Sequence, residues 1–349
     1  MRNLYKNGLL LTAVAIVSLI TQKAEAALLV AGRGNGSVLR YNEQTGAFID
    51  TFIPAGSGGL EGPSSLAFGS DNDLYVADYF NSRVLRYDGK TGDFIDTFIP
   101  SGSGGLSSPE TLAFGPDNDL YISGLDGSGV RRFDGKTGAF IDTVVGSVPS
   151  SGDKLSSPNF TFGPDNDLYI SSVLPPSGVL RYNEETGTTN TFIPPSSSPE
   201  ISGGLTFGPD NDLYVNSFVP NASIRRYDEK TGDFIDTFVP TGSSGLNRAS
   251  RLTFRPDNNL YVTSFGSNSV LRYNSRTGAF IDAFVPSGSG GLRNPIGLAF
   301  SPTPVPEPSS WLSVLGVGAY LGASLVLKSK QKSRNNDVEE QHLKGKNHG

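Results

Sequence analysis

Along most of the chain, apolar positions come in runs of four to six residues that alternate with polar ones and never reach helix length. The stretch from residue 65 to 110 shows the pattern with SLAF, LYVAD, VLRY and FIDTF. Each run is β-branched or aromatic and is bounded by Gly, Pro, Asn or Asp, which predicts strands. The pattern repeats: D-N-D-L-Y begins at Asp71, Asp117, Asp165 and Asp210, and D-N-N-L-Y at Asp257, at spacings of 46, 48, 45 and 47 residues. Between the first two runs, Gly-Pro-Asp-Asn-Asp fixes φ at the proline and follows it with residues that tolerate turn geometry. Between the last two, Asp88-Gly89-Lys90-Thr91-Gly92 supplies glycines for positive φ.

Four antiparallel strands every ~45 residues is the size of one β-propeller blade. The second, third and fourth strand segments each occur six times, the copy at residues 188–192 being weak. The first-strand segment also occurs six times but is shifted, from residues 65–68 to residues 297–300. The repeat region therefore begins on a second strand and ends on a first. Pairing residues 297–300 with residues 28–31 would complete one blade and close the ring, removing two exposed edges. The expected fold class is all-β: a six-bladed propeller of four-stranded antiparallel blades spanning residues 27–302, plus one C-terminal transmembrane helix.

That helix comes from the ends of the chain. Residues 1–26 read as a cleaved secretory signal: Arg2 and Lys6, then thirteen apolar residues, then the cleavage triplet Ala24-Glu25-Ala26. The mature chain should begin near Ala27. Residues 311–327 carry no charge over seventeen positions, at the lower end of what spans a bilayer. Lys328, Lys330, Lys332 and Arg334 follow and should stay cytoplasmic, in a basic tail of residues 328–349. Residues 303–310 are a Pro-rich linker.

Pro306-Glu307-Pro308, the apolar segment led by Trp311 and the basic cluster together resemble the PEP-CTERM sorting signal of bacterial surface proteins. The resemblance implies an exosortase-type processing enzyme as partner. The tail departs from it, running on through residues 335–349. Within the body, the stretch from Pro63 to Asp88, with Asp78, Asn81, Arg83 and Val84 in place, resembles the NHL repeat, and five looser copies extend the resemblance over most of residues 27–302. NHL-type propellers serve many functions, so this implies a fold and no single activity.

Composition narrows the chemistry. Cys is absent and both histidines, His342 and His348, lie in the last eight residues, so the body has no thiolate, catalytic histidine or Cys/His metal set. Gly at 43 and Pro at 23 of 349 residues agree with many turns. Residues 27–302 hold 19 Lys/Arg and 29 Asp/Glu, a net charge of −10, which disfavours nucleic acid as a partner.

The pairs Arg40/Asp50, Arg86/Asp96, Arg132/Asp142, Arg226/Asp236 and Arg272/Asp282 recur with the repeat, as expected of cross-strand ion pairs. The Asp-Asn-Asp turns offer calcium-type oxygens but are explained as hairpin turns. Enzymes of related architecture include calcium-dependent lactonases and His-dependent lyases. The second type lacks its histidine here, and no set of acids and amides departs from the repeat in a way that suggests the first. The loop between the second and third strands varies most. Aligned on its first variable position it offers Arg33, Tyr79, Leu125, Val173, Phe218 and Phe265 as a candidate binding ring around the pore, or as staples between blades. The expectation is an exported, surface-sorted propeller that binds or scaffolds without catalysis, with no cofactor or metal, and with a surface protein or polysaccharide and the membrane as partners. It would be membrane-anchored or released to the cell surface or matrix. The alternative is a calcium-dependent lactonase-like hydrolase in the central channel.

Overall fold

The computed structural model describes residues 26–125, 127, 129–146, 158–171, 177–196, 203–218, 222–255 and 257–302, with the side chains of residues 177, 195 and 196 left out. These residues form six four-stranded antiparallel sheets. Blade one combines β1 (Ala27–Gly32), β2 (Ser37–Asn42) and β3 (Phe48–Ile53) with the last strand of the chain. Blade two holds β4 (Pro63–Phe68), β5 (Leu74–Asp78), β6 (Arg83–Tyr87) and β7 (Phe94–Ile99). Blade three holds β8 (Pro109–Phe114), β9 (Leu120–Gly124), β10 (Val130–Phe133) and β11 (Phe140–Val145). Blade four holds β12 (Asn159–Phe162), β13 (Leu168–Ser171), β14 (Ser177–Asn183) and β15 (Thr188–Ser196). Blade five holds β16 (Leu205–Phe207), β17 (Leu213–Asn216), β18 (Ile224–Tyr227) and β19 (Phe234–Val239). Blade six holds β20 (Ala249–Arg255), β21 (Asn259–Ser264), β22 (Ser269–Asn274) and β23 (Phe280–Val285), and β24 (Pro295–Phe300) returns to blade one.

The ring closes where the shifted repeats require. Leu28 pairs with Phe300, Leu29 with Ala299 and Val30 with Leu298. The first strands of successive blades contact one another around the full circle, so they surround the central channel. The core lies between blades. One cluster joins Leu29, Val38 and Ile53 of blade one to Leu74, Val76 and Tyr87 of blade two, and equivalent clusters recur around the ring. Burying each such side chain contributes about 1.5–3 kcal/mol.

The repeated motif has a local cause. In D-N-D-L-Y, Asp71 accepts from the Asp73 amide and from the Tyr75 hydroxyl at 2.9 Å, while Asn72 takes the left-handed conformation at φ 65°. Tyr121, Tyr169, Tyr214 and Tyr261 bond Asp117, Asp165, Asp210 and Asp257 in the same way. The turn oxygens are thus already used. Four of the blade-to-blade crossings are described through their full length, and each of these ends on a buried leucine: Leu60, Leu106, Leu246 and Leu292.

The expected fold class needs one correction. Among the described residues no helix is long and apolar enough to cross a membrane. The described residues are the all-β propeller alone, with no transmembrane helix among them, so the expected helix and membrane anchoring are not supported. Residues 311–327, the sorting residues Pro306, Glu307, Pro308, Lys328, Lys330, Lys332 and Arg334, and Ala24 of the cleavage triplet lie outside the described residues. Ala26 is the first residue described, and it is buried.

Candidate functional site at the channel mouth

The loop between the first two strands of the repeat region hydrogen-bonds to the crossing before β24: the Arg33 and Gly34 amides donate to the Asn294 and Arg293 carbonyls. These variable loops therefore share a face with the crossings. On that face Arg33 stacks over Tyr79, its guanidinium carbon 4.1 Å from the ring centroid. Tyr79 meets Phe80 edge-on at 5.2 Å, and Phe80 is 59% exposed. Phe218 and Phe265 form a second edge-on pair at 5.6 Å. Leu125 is 40% exposed. Of the six expected ring residues, the structure thus joins Arg33 to Tyr79 and Phe218 to Phe265, and leaves Leu125 at the surface. Val173 lies outside the described residues. Phe80, next to an expected position, is the most exposed large apolar side chain among those described.

A second group was not expected. The residue two before the last aromatic-bearing pair of each inner strand is Ser65, Thr111, Asn159, Gly204, Arg251 and Gly297. No two neighbouring blades carry the same residue there, and Arg251 stands between the two glycines. From β20 in blade six, Arg251 reaches the opposite side of the ring. Its Nη2 donates to Thr111 Oγ1 at 2.6 Å and to the Glu110 carbonyl at 2.9 Å in blade three, and its Nη1 donates to Asn159 Oδ1 at 2.5 Å in blade four. Thr111 Oγ1 also donates to Asn159 Oδ1, at 3.1 Å. The Glu110 carboxylate in turn accepts from Arg33 Nη2 at 2.7 Å. Protein encloses Arg251, although some of its surface still faces the channel. Desolvation lowers its pKa to about 10, with Glu110 opposing and Arg33 adding to the shift, so it stays charged at neutral pH.

Sequence reasoning found no convergent set that departed from the repeat, and the channel corrects this. Glu110, Thr111, Asn159 and Arg251 are such a set. The signal was present in the one inner-strand position that never settles on a residue type. It lay hidden because one strand position carries no sign that it faces a channel.

The repeated Arg–Asp pairs are cross-strand, as expected: Arg40 faces Asp50 and Arg86 faces Asp96, and so on for Arg132, Arg226 and Arg272. In blade four, Arg181 faces Asn190 and turns instead to Asp165 at 2.8 Å and Asp167 at 2.7 Å. A polar groove of ≈ 440 Å³ opens there, on the outer rim. Among the described residues, no group of three or more His, Cys, Asp or Glu could hold a metal ion.

No family model matches the chain, and no curated protein matches it. Solved structures do. A chain of the nidogen/laminin complex superposes with a TM-score of 0.59 at 16% identity, covering 80% of this chain and 100% of that one. Catalytically inactive virginiamycin B lyase from Staphylococcus aureus with quinupristin gives 0.54 at 18% identity, over 81% and 94%. A putative gluconolactonase gives 0.52 at 14% identity, over 72% and 85%. At such identities the likeness is one of fold, and the chain shares with them the six-bladed β-propeller.

Proposed function

We propose that this chain is an exported propeller that binds a partner without catalysing a reaction, with the channel-mouth face as its recognition surface. The observation that carries the reading is Arg251 reaching across the channel. A hydrolytic metal there would need oxygens from Glu110 and Asn159. Asn159 Oδ1 already accepts two hydrogen bonds, and the Glu110 carboxylate is paired with Arg33. A divalent cation would also sit beside two guanidinium groups, whose repulsion is strong in a site with little water. The structural neighbours include a chain from a binding complex and relatives of enzymes, so the fold does not choose between the readings.

Around the mouth, Tyr79, Phe80, Leu125 and Phe265 offer the apolar and aromatic surface that protein or saccharide partners use. Export rests on residues 1–26, and surface sorting by an exosortase-type enzyme rests on Pro306-Glu307-Pro308. Mass spectrometry of the secreted protein tests both: the mature form should begin at Ala27 and end near residue 308. The binding reading is tested by cross-linking the purified protein to whole cells and matrix polysaccharide, alongside a variant carrying Phe80→Ser and Leu125→Ser. Capture by the parent and its loss in the variant is expected. Equal capture by both, or calcium-dependent lactone hydrolysis by the parent, would sink the reading.

A further inference from the structure

We propose that the channel mouth receives the carboxylate of an organic acid, held by Arg251 and Asn159 beside the Arg33–Tyr79 stack. This site adjoins the apolar loop surface at Tyr79 but rests on Arg251, Asn159 and Arg33, and it stands whether or not that surface has a partner.

The first argument is charge. Arg33 and Arg251 bring two positive charges to the mouth and Glu110 brings one negative charge. Among the described residues, Glu110 is the only acidic group acting on Arg251, and it is already paired with Arg33. The cluster therefore carries one uncompensated positive charge. Arg251 hydrogen-bonds only to neutral acceptors: an amide oxygen, a hydroxyl and a backbone carbonyl. A charge in a poorly hydrated site attracts a counter-charge far more strongly than it would in water.

The second argument is hydrogen bonding. Arg251 has five N–H groups and uses three. Arg33 Nε is buried without an acceptor among the described residues. Donors outnumber acceptors, so the missing group is an acceptor. Arg251 and Asn159 both keep surface toward the channel, so a ligand can reach them. A planar guanidinium beside an amide matches a carboxylate, which can take two parallel hydrogen bonds. The acid could arrive free or as a uronate residue of an acidic polysaccharide.

The test is calorimetric titration of the purified protein with D-glucuronate, acetate, inorganic phosphate and D-glucose. D-glucuronate should bind at least about tenfold more tightly than D-glucose, which lacks the charge. Acetate matching D-glucuronate would identify a small free acid, and weaker acetate would identify a sugar acid; either supports the site. Arg251→Gln should abolish binding. Should that variant fail to fold, Glu110→Gln carries the test with the opposite sign. It removes the only opposing charge and leaves Arg251 in place, so binding should tighten about tenfold. D-glucuronate binding no better than D-glucose, phosphate binding as well as the carboxylates, or Glu110→Gln leaving affinity unchanged or weaker would overturn the proposal.

Discussion

Arg33 Nη2, on a loop of blade one, lies 2.7 Å from Glu110 Oε2, on the inner strand of blade three. The pair bridges over blade two, whose Tyr79 ring supports the arginine from beneath its plane at 4.1 Å. Both side chains are mostly shielded, 17% and 18% exposed. The contact therefore contributes more than an ordinary surface pair. Arg33→Ala should cost about 1.5–3 kcal/mol in denaturant unfolding. A loss below about 0.5 kcal/mol would show that the bridge is not held in solution.

The buried and exposed acids should separate clearly. Asp78 has no exposed side-chain surface. It accepts from Arg83 Nε at 3.0 Å, from Asn81 Nδ2 at 3.0 Å and from the Gly62 amide at 3.1 Å. Asp78→Ala leaves Arg83 and those donors without their acceptor and should cost about 3–5 kcal/mol. Asp96 pairs with Arg86 across β6 and β7 but is 43% exposed. Asp96→Ala should cost no more than about 1 kcal/mol. Equilibrium unfolding of the two variants side by side checks the ordering.

Two glycines in one crossing make a sharper comparison. Gly56 and Gly58 both have positive φ, 81° and 59°. A methyl at Gly56 meets nothing within 4 Å, whereas one at Gly58 would fall 2.2 Å from the Phe94 ring. Gly56→Ala should cost about 1–2 kcal/mol, from backbone strain alone. Gly58→Ala should cost roughly 1–3 kcal/mol beyond that, because Phe94 must move. Equal melting temperatures for the two variants would contradict the packing described.

The hairpin turns between third and fourth strands predict a pH response. Backbone amides donate to Asp88 (from Thr91 and Lys90) and to Asp228, and the Thr137 hydroxyl together with backbone amides donates to Asp134; these bonds hold all three carboxyls below their ordinary 3.8. A folded-state pKa below the unfolded one stabilises the protein above the unfolded value, and that stability is lost as pH falls through the folded value. Asn42, Asn183 and Asn274 fill the same position in three other turns with matching bonds and no titration. Replacing the three aspartates by asparagine should keep the fold at neutral pH and flatten the loss of stability on acidification. Melting curves across the acid range measure it, and an unchanged slope would count against these turns.

Much of this was legible along the chain. The recurring D-N-D-L-Y and the shifted first strand are local signals, and they led to blade count and ring closure. The Arg–Asp pairs were legible because strand register repeats. The channel set was not. Thr111, Asn159 and Arg251 are 140 positions apart at the extremes and meet only because the ring brings blades three, four and six around one axis. Arg251 reads in sequence as one more polar strand residue. The loop ring was legible as variation but not as contact: Arg33 looked like one member of the candidate ring, while its partner Glu110 sits on another strand type altogether.

A channel that repels cations fits a binding propeller, and one that accommodates them fits a metal-dependent hydrolase. Calcium titration of the purified protein by calorimetry, with melting followed in calcium and in chelator, measures this directly. Two guanidinium groups around Glu110 predict no binding heat and no shift in melting temperature. Stoichiometric calcium that is lost with chelator and abolished by Glu110→Gln would place a metal in the channel and contradict the binding account.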